Sequence, residues 1–98
     1  MNETQLNVLR KHLEELDEHL VSLLAERFKV TDQIGRYKST HQLAPADPLR
    51  EHRQAERIRK LAAEHGLDVE IAERILRFIM KEAVKRHQAI QVKFGEFL

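Results

Sequence analysis

One arginine in this sequence occupies a position that its neighbours give to apolar side chains. Leu6, Leu9, Leu13, Leu16, Leu20, Leu23, Val30, Ile34 and Tyr37 recur at alternating spacings of three and four, and Arg27 falls on the same seam. A seam position faces a partner helix. A guanidinium there is either mispacked, which is costly, or buried with an anionic partner. Lys38 follows 11 residues later. At ~100° per residue that is three turns plus about 20°, so both cations share one helix face, about 16 Å apart along the axis. Two long side chains reaching toward each other can grip one small anion. Taken alone, Lys38 also fits a simpler role near a helix C-terminus, favouring the dipole and water. Arg10 lies 17 residues before Arg27, about 25 Å along a helix. It is either a solvated arginine beside the seam or a residue that reaches the anion from an antiparallel partner chain.

Two further groups could do chemistry. Asp47-Pro48-Leu49-Arg50-Glu51 reads as a helix start. Asp47 is the N-cap, and Pro48 sits where a missing N–H costs nothing. Glu51 suits the positive pole of the first turn, whereas Arg50 is mildly unfavourable there. The second group is His87, four residues after Ala83 on an apolar stripe of Ala72, Leu76, Ile79, Ala83, Ile90 and Phe94. It points inward, as a site residue or as a core histidine bonded to a backbone carbonyl. The histidines at 12, 19, 41, 52, 65 and 87 show no HxxxH pair and no ligand trio on one face, so no metal site is expected. Arg53, Arg57, Arg59 and Lys60 alternate with Glu51, Glu56 and Glu64, the pattern of a solvated helix face.

The elements that must carry these residues follow from where the breakers fall. Helix-breaking residues cluster at Leu43–Pro48 and Gly66–Asp68. Gly35 sits inside a periodic run and Gly95 near the end. Good helix formers dominate the rest. The expectation is an all-α single domain over residues 1–98, with helices at about 4–40, 48–65 and 69–94. Gly66 can take the left-handed conformation that ends the second helix, and Asp68 caps the third. Only 3 Gly and 2 Pro leave little material for the turns of an all-β domain. The absence of Cys excludes a disulfide framework, a thiolate zinc site and a cysteine nucleophile. A net charge of +1 over 98 residues argues against a nucleic-acid or membrane-surface binder. No apolar run approaches 18 residues, and the Met1-Asn2-Glu3-Thr4 start lacks signal-peptide features. A soluble cytoplasmic protein is expected.

Length adds one inference. A first helix of about 36 residues is roughly 54 Å long, whereas a compact chain of this size is about 33 Å across. Half of the leucine seam would stay wet in a monomer. A homodimer of two long helices that cover each other, intertwined, removes the problem.

These anchors resemble the all-helical class of chorismate mutase over nearly the full chain. They are Leu9-Arg10 with Leu16-Asp17, Leu23-Leu24-Ala25-Glu26-Arg27, Lys38, Asp47-Pro48 with Arg50-Glu51, and Gly66-Leu67-Asp68. No one anchor is specific; their order and spacing are. The resemblance implies a three-helix protomer, long, short, long, in an intertwined homodimer with two equivalent sites. It implies a cofactor-free [3,3] rearrangement of chorismate to prephenate in aromatic amino acid biosynthesis. By the same resemblance Arg27, with Arg10 of the partner chain, binds the two carboxylates of chorismate. Lys38 meets a carboxylate and the ether oxygen of the breaking bond, and Arg50 lines the site. Glu51 accepts from the substrate hydroxyl, with Asp47 helping through its backbone.

Two positions depart from the family pattern. Where a Ser-x-x-x-Gln is common on the third helix, this chain has Ala83 and His87. Ala83 loses a hydroxyl contact. His87 replaces an amide that donates to the ether oxygen, and either a neutral imidazole N–H or an imidazolium can donate there. The reaction is intramolecular and needs no nucleophile, so catalysis must come from holding the reactive conformer and stabilising charge on the ether oxygen. Two alternatives stand beside this reading: an isochorismate–pyruvate lyase on the same scaffold, and a non-enzymatic helical dimerisation module.

Overall fold

The computed structural model describes residues 1–95, with side chains through Lys93. Three helices carry the described residues: α1 Glu3–Thr40, α2 Pro48–Glu64 and α3 Val69–Gly95. The expected all-α class holds, and each helix boundary lies within one residue of its expected place. The side chain of Phe94, placed on the apolar stripe from the sequence, lies outside the described residues.

Each helix end has a local cause. Asn2 opens α1 with a reciprocal box: the Gln5 N–H donates to Asn2 Oδ1 at 2.9 Å, and the Asn2 N–H donates to Gln5 Oε1 at 2.7 Å. Asp47, in extended backbone, caps α2 by accepting from the Arg50 N–H at 3.2 Å, and Asp68 caps α3 by accepting from the Ile71 N–H at 3.0 Å. Caps of this kind are worth about 1 kcal/mol each. At the end of α2, Gly66 has φ 70°. The Leu67 and Gly66 N–H groups return to the carbonyls of Ala62 and Ala63 at 2.8 and 3.3 Å. The end of α1 repeats this closure without a glycine. The Leu43 N–H donates to the Lys38 carbonyl at 2.7 Å and the Gln42 N–H to the Ser39 carbonyl at 3.2 Å, with Gln42 at φ 57°. A side chain in the left-handed region costs roughly 1–2 kcal/mol, which the closing hydrogen bonds must offset.

The chain divides into two compact units, Met1–Thr31 and Asp32 onward. The first is the long N-terminal part of α1. Its seam is exposed: Leu9 54%, Leu13 58%, Leu16 51%, Leu20 55% and Leu23 62%. The second holds the last turns of α1 together with α2 and α3. There α2 packs along α3 through small residues. Ala55 and Ala62 of α2, and Ala72, Leu76, Met80 and Ala83 of α3, are buried. Arg59 of α2 also pairs with Glu73 of α3 at 3.6 Å, so that arginine belongs to the helix–helix contact rather than to a wholly solvated face. A second apolar stripe on α3, Ile71, Ile75 and Phe78, stays exposed and lines an open groove with Arg74. No described helix is long and apolar enough to cross a membrane.

Candidate active site

The connection between α1 and α2 is where two of the candidate residues, Lys38 and His87, meet. The Pro45 carbonyl accepts from Lys38 Nζ at 3.2 Å and pairs with His87 Nδ1 at 3.3 Å. A carbonyl oxygen has two lone pairs and can serve both. Because that oxygen only accepts, Nδ1 is the nitrogen of His87 that carries the proton in this bond. Lys38 comes from the last turn of α1 and is half-buried; His87 comes from α3 and is 5% exposed. A third donor, Gln91 Nε2, reaches the Leu43 carbonyl at 2.8 Å. The connection is thus held by side chains from α1 and α3.

His87 lies directly against α1. A Cβ built on Gly35 would come within 2.5 Å of His87 Cδ2 and 3.2 Å of its Cγ and Nε2. Three residues before Gly35, Asp32 accepts from Arg86, the neighbour of His87, through both carboxylate oxygens, with Arg86 Nε to Oδ1 at 2.8 Å. The Arg86 hydrogen bonds hold the Asp32 carboxyl below the usual aspartate value. Burial opposes this, and the charges of Arg86, Arg36 and His87 reinforce it. The same pairing raises Arg86.

The remaining candidates are placed as follows. Asp47, Arg50 and Glu51 are joined in the cap and first turn of α2, with Glu51 half-buried and Arg50 exposed. Ala83 is buried one turn before His87. In the N-terminal unit Arg10 is exposed and Arg27 half-buried. Nη1 of Arg27 is buried and has no hydrogen-bond partner among the described residues. An unmet buried donor of this kind costs about 1–3 kcal/mol or more. Among the described residues no three His, Asp or Glu side chains are grouped as metal ligands.

Sequence reasoning missed Gly35, Asp32, Arg86 and Gln91 as neighbours of the site. Asp32 and Arg86 are 54 residues apart, and a single sequence carries no signal for such a pair. Gly35 did leave a trace, as a helix-weakening residue in the middle of a periodic run.

These features define an all-α protein in which an ammonium and an imidazole converge on one oxygen, with further arginines on the same helices. The sequence pattern of the family described as chorismate mutase type II matches residues 9–88. The chain belongs to that family. It is similar to the chorismate mutase of Methanocaldococcus jannaschii, with 29% identity over 92 residues, covering 94% of this chain and 89% of that protein. It is also similar to the bifunctional chorismate mutase/prephenate dehydratase of Escherichia coli K12, 33% identical over 91% of this chain but only 23% of that protein. A third relative is the T-protein of Haemophilus influenzae, 32% identical over 80% of this chain and 21% of that protein. The chain therefore spans most of the archaeal relative and less than a quarter of the two bacterial ones.

Proposed function

We propose that this chain rearranges chorismate to prephenate, in the service of aromatic amino acid biosynthesis in the cytoplasm, as a single domain that works as an intertwined homodimer. The observation that carries the reading is the shared acceptor: Lys38 Nζ and His87 Nδ1 lie 3.2 and 3.3 Å from one oxygen. The rearrangement breaks a C–O bond and places growing negative charge on the ether oxygen. In the free chain both donors are taken by the Pro45 backbone carbonyl, the arrangement also expected of a core histidine. On this proposal they exchange that carbonyl for the ether oxygen, where two donors on one oxygen are what the charge requires. Family membership and the name of the archaeal relative support the same activity.

The other roles follow the carboxylates of the substrate. Arg27, with its unmet buried donor, takes one carboxylate as a charge-assisted fork. Arg10 of the second copy takes the other. Lys38 bridges a carboxylate and the ether oxygen, Arg50 lines the site, and Glu51 accepts from the substrate hydroxyl beside Asp47. Ala83 leaves room without a hydroxyl contact. No cofactor is required, because every bond made or broken lies within one molecule. Holding the compact conformer supplies the rest of the acceleration.

The second copy is argued from exposure. Leu9, Leu13, Leu16, Leu20 and Leu23 each stand more than half exposed. Covering what remains of each contributes about 1 kcal/mol. The Ile71–Ile75–Phe78 stripe offers a second surface for the same partner.

The test is turnover of purified protein with chorismate and, separately, isochorismate. Prephenate from the first and no pyruvate from the second is the expected result; pyruvate release would reassign the chain to the lyase, and no turnover of either would leave a dimerisation module. His87→Ala should lower kcat about 100-fold, the loss expected of one preorganised donor, while His87→Gln keeps most activity. Since Nδ1 already carries the proton in the neutral ring, kcat/KM should stay flat from pH 6 to 9. A fall with rising pH would mean that the imidazolium is required.

A further inference from the structure

We propose that Gly35 is a positioning residue for His87: the bare backbone at this turn of α1 is what lets the imidazole seat its Nδ1 on the Pro45 carbonyl it shares with Lys38, the place from which the proposed mechanism has it turn its proton to the ether oxygen. The inference rests on the donor role given to His87 above. Glycine weakens a helix interior, so its place in α1 calls for a reason. The ring supplies one. Its Cδ2–Nε2 edge lies where a Cβ on residue 35 would stand, 2.5 Å from Cδ2 and 3.2 Å from Nε2. Its opposite nitrogen is tied to the Pro45 carbonyl at 3.3 Å. The imidazole is thus held between α1 backbone on one edge and a hydrogen bond on the other.

One tie resists relaxation of the two helices around an added methyl group. Asp32 and Arg86, three residues before Gly35 and one before His87, tie the same turns of α1 and α3 together through a two-pronged ion pair. Ordinary carbon contacts need about 3.5–4.0 Å. A Cβ at 35 therefore pushes the ring by about 1 Å and pulls Nδ1 off its line to the shared oxygen. The charged groups around the ring, Lys38 on the same carbonyl and Asp32 with Arg86 on the adjoining turn, stay in place. The expected loss is one of aim rather than of charge.

The experiment is a double-mutant cycle on the full chain with chorismate as substrate. Gly35→Ala should lower kcat about 100-fold with KM changed little, the size expected for a donor displaced by about 1 Å. In a His87→Ala background the same substitution should change kcat less than about two-fold, because nothing remains to be displaced. The ¹⁵N spectrum of the wild-type ring should show protonated Nδ1, and Gly35→Ala should alter it. Gly35→Ala with wild-type kcat overturns the inference, and so does an equal loss in both backgrounds, which would mark general packing. If Gly35→Ala fails to fold, folding of the double variant supports a clash with the ring; failure of both overturns it. Full activity in His87→Ala alone would instead sink the donor reading beneath it.

Discussion

The two units of this chain treat their apolar and polar groups in opposite ways. From Asp32 onward, α2 and α3 bury alanines and a few larger side chains against each other. There Lys38, His87, Gln91 and Arg86 each find an acceptor. Before Asp32, a single helix exposes a row of leucines and leaves a buried guanidinium nitrogen of Arg27 without a partner among the described residues. One region is satisfied by its own chain. The other leaves groups open to what the proposal supplies from outside: a second copy for the leucines and an anion for the arginine.

Substitutions can break that contrast, and the largest effect belongs on the exposed seam. Leu20→Asp places a charge where the account requires apolar contact between copies. It should convert a dimer to a monomer in analytical ultracentrifugation and remove activity with it, while a variant that stayed dimeric and active would place the interface elsewhere. Next comes Arg27→Ala. Losing a buried charged contact to a carboxylate costs about 2–5 kcal/mol, or roughly 10³-fold in kcat/KM. Thermal stability should hold or rise, because an unmet donor is removed. A drop in stability without loss of turnover would make Arg27 structural.

The smallest effect lies in the self-satisfied unit. Asp32→Asn removes the ion pair with Arg86 and should cost about 1 kcal/mol, a value held down by the exposure of Arg86. Its pH dependence has a definite sign. The folded-state pKa of Asp32 is depressed, so the stabilisation is complete above the unfolded value of about 3.8 and disappears as pH falls through the lower folded value. Denaturation of wild type and Asp32→Asn should therefore differ at neutral pH and converge in strong acid. A gap unchanged at low pH would mean that the carboxylate charge is not what stabilises.

The same contrast explains what the sequence made legible. Helix ends were readable where the chemistry is local: Asp47, Gly66 and Asp68 each act within four residues of themselves. Arg27 was readable because the leucine spacing exposes any intruder. His87 was readable as inward-facing from the stripe on α3, but its carbonyl partner was not, since Pro45 lies 42 residues away. Gln42 shows another limit. It closes α1 in a left-handed conformation that glycine usually signals, and no residue type announced it. The Ile71–Ile75–Phe78 stripe is present in the spacing but lies beside the stripe that carries His87, and spacing alone does not rank one apolar face of a helix above its neighbour.

The central claim is that two copies share each site, with Arg10 supplied by one and Lys38 by the other. Mixing settles it. Arg10→Ala and Lys38→Ala chains, each inactive alone, are unfolded together and refolded in equal amounts. Half of the dimers formed at random are mixed, and each mixed dimer carries one intact site and one doubly damaged site. About a quarter of wild-type prephenate formation should return. Activity no greater than the sum of the two separate variants would contradict the account.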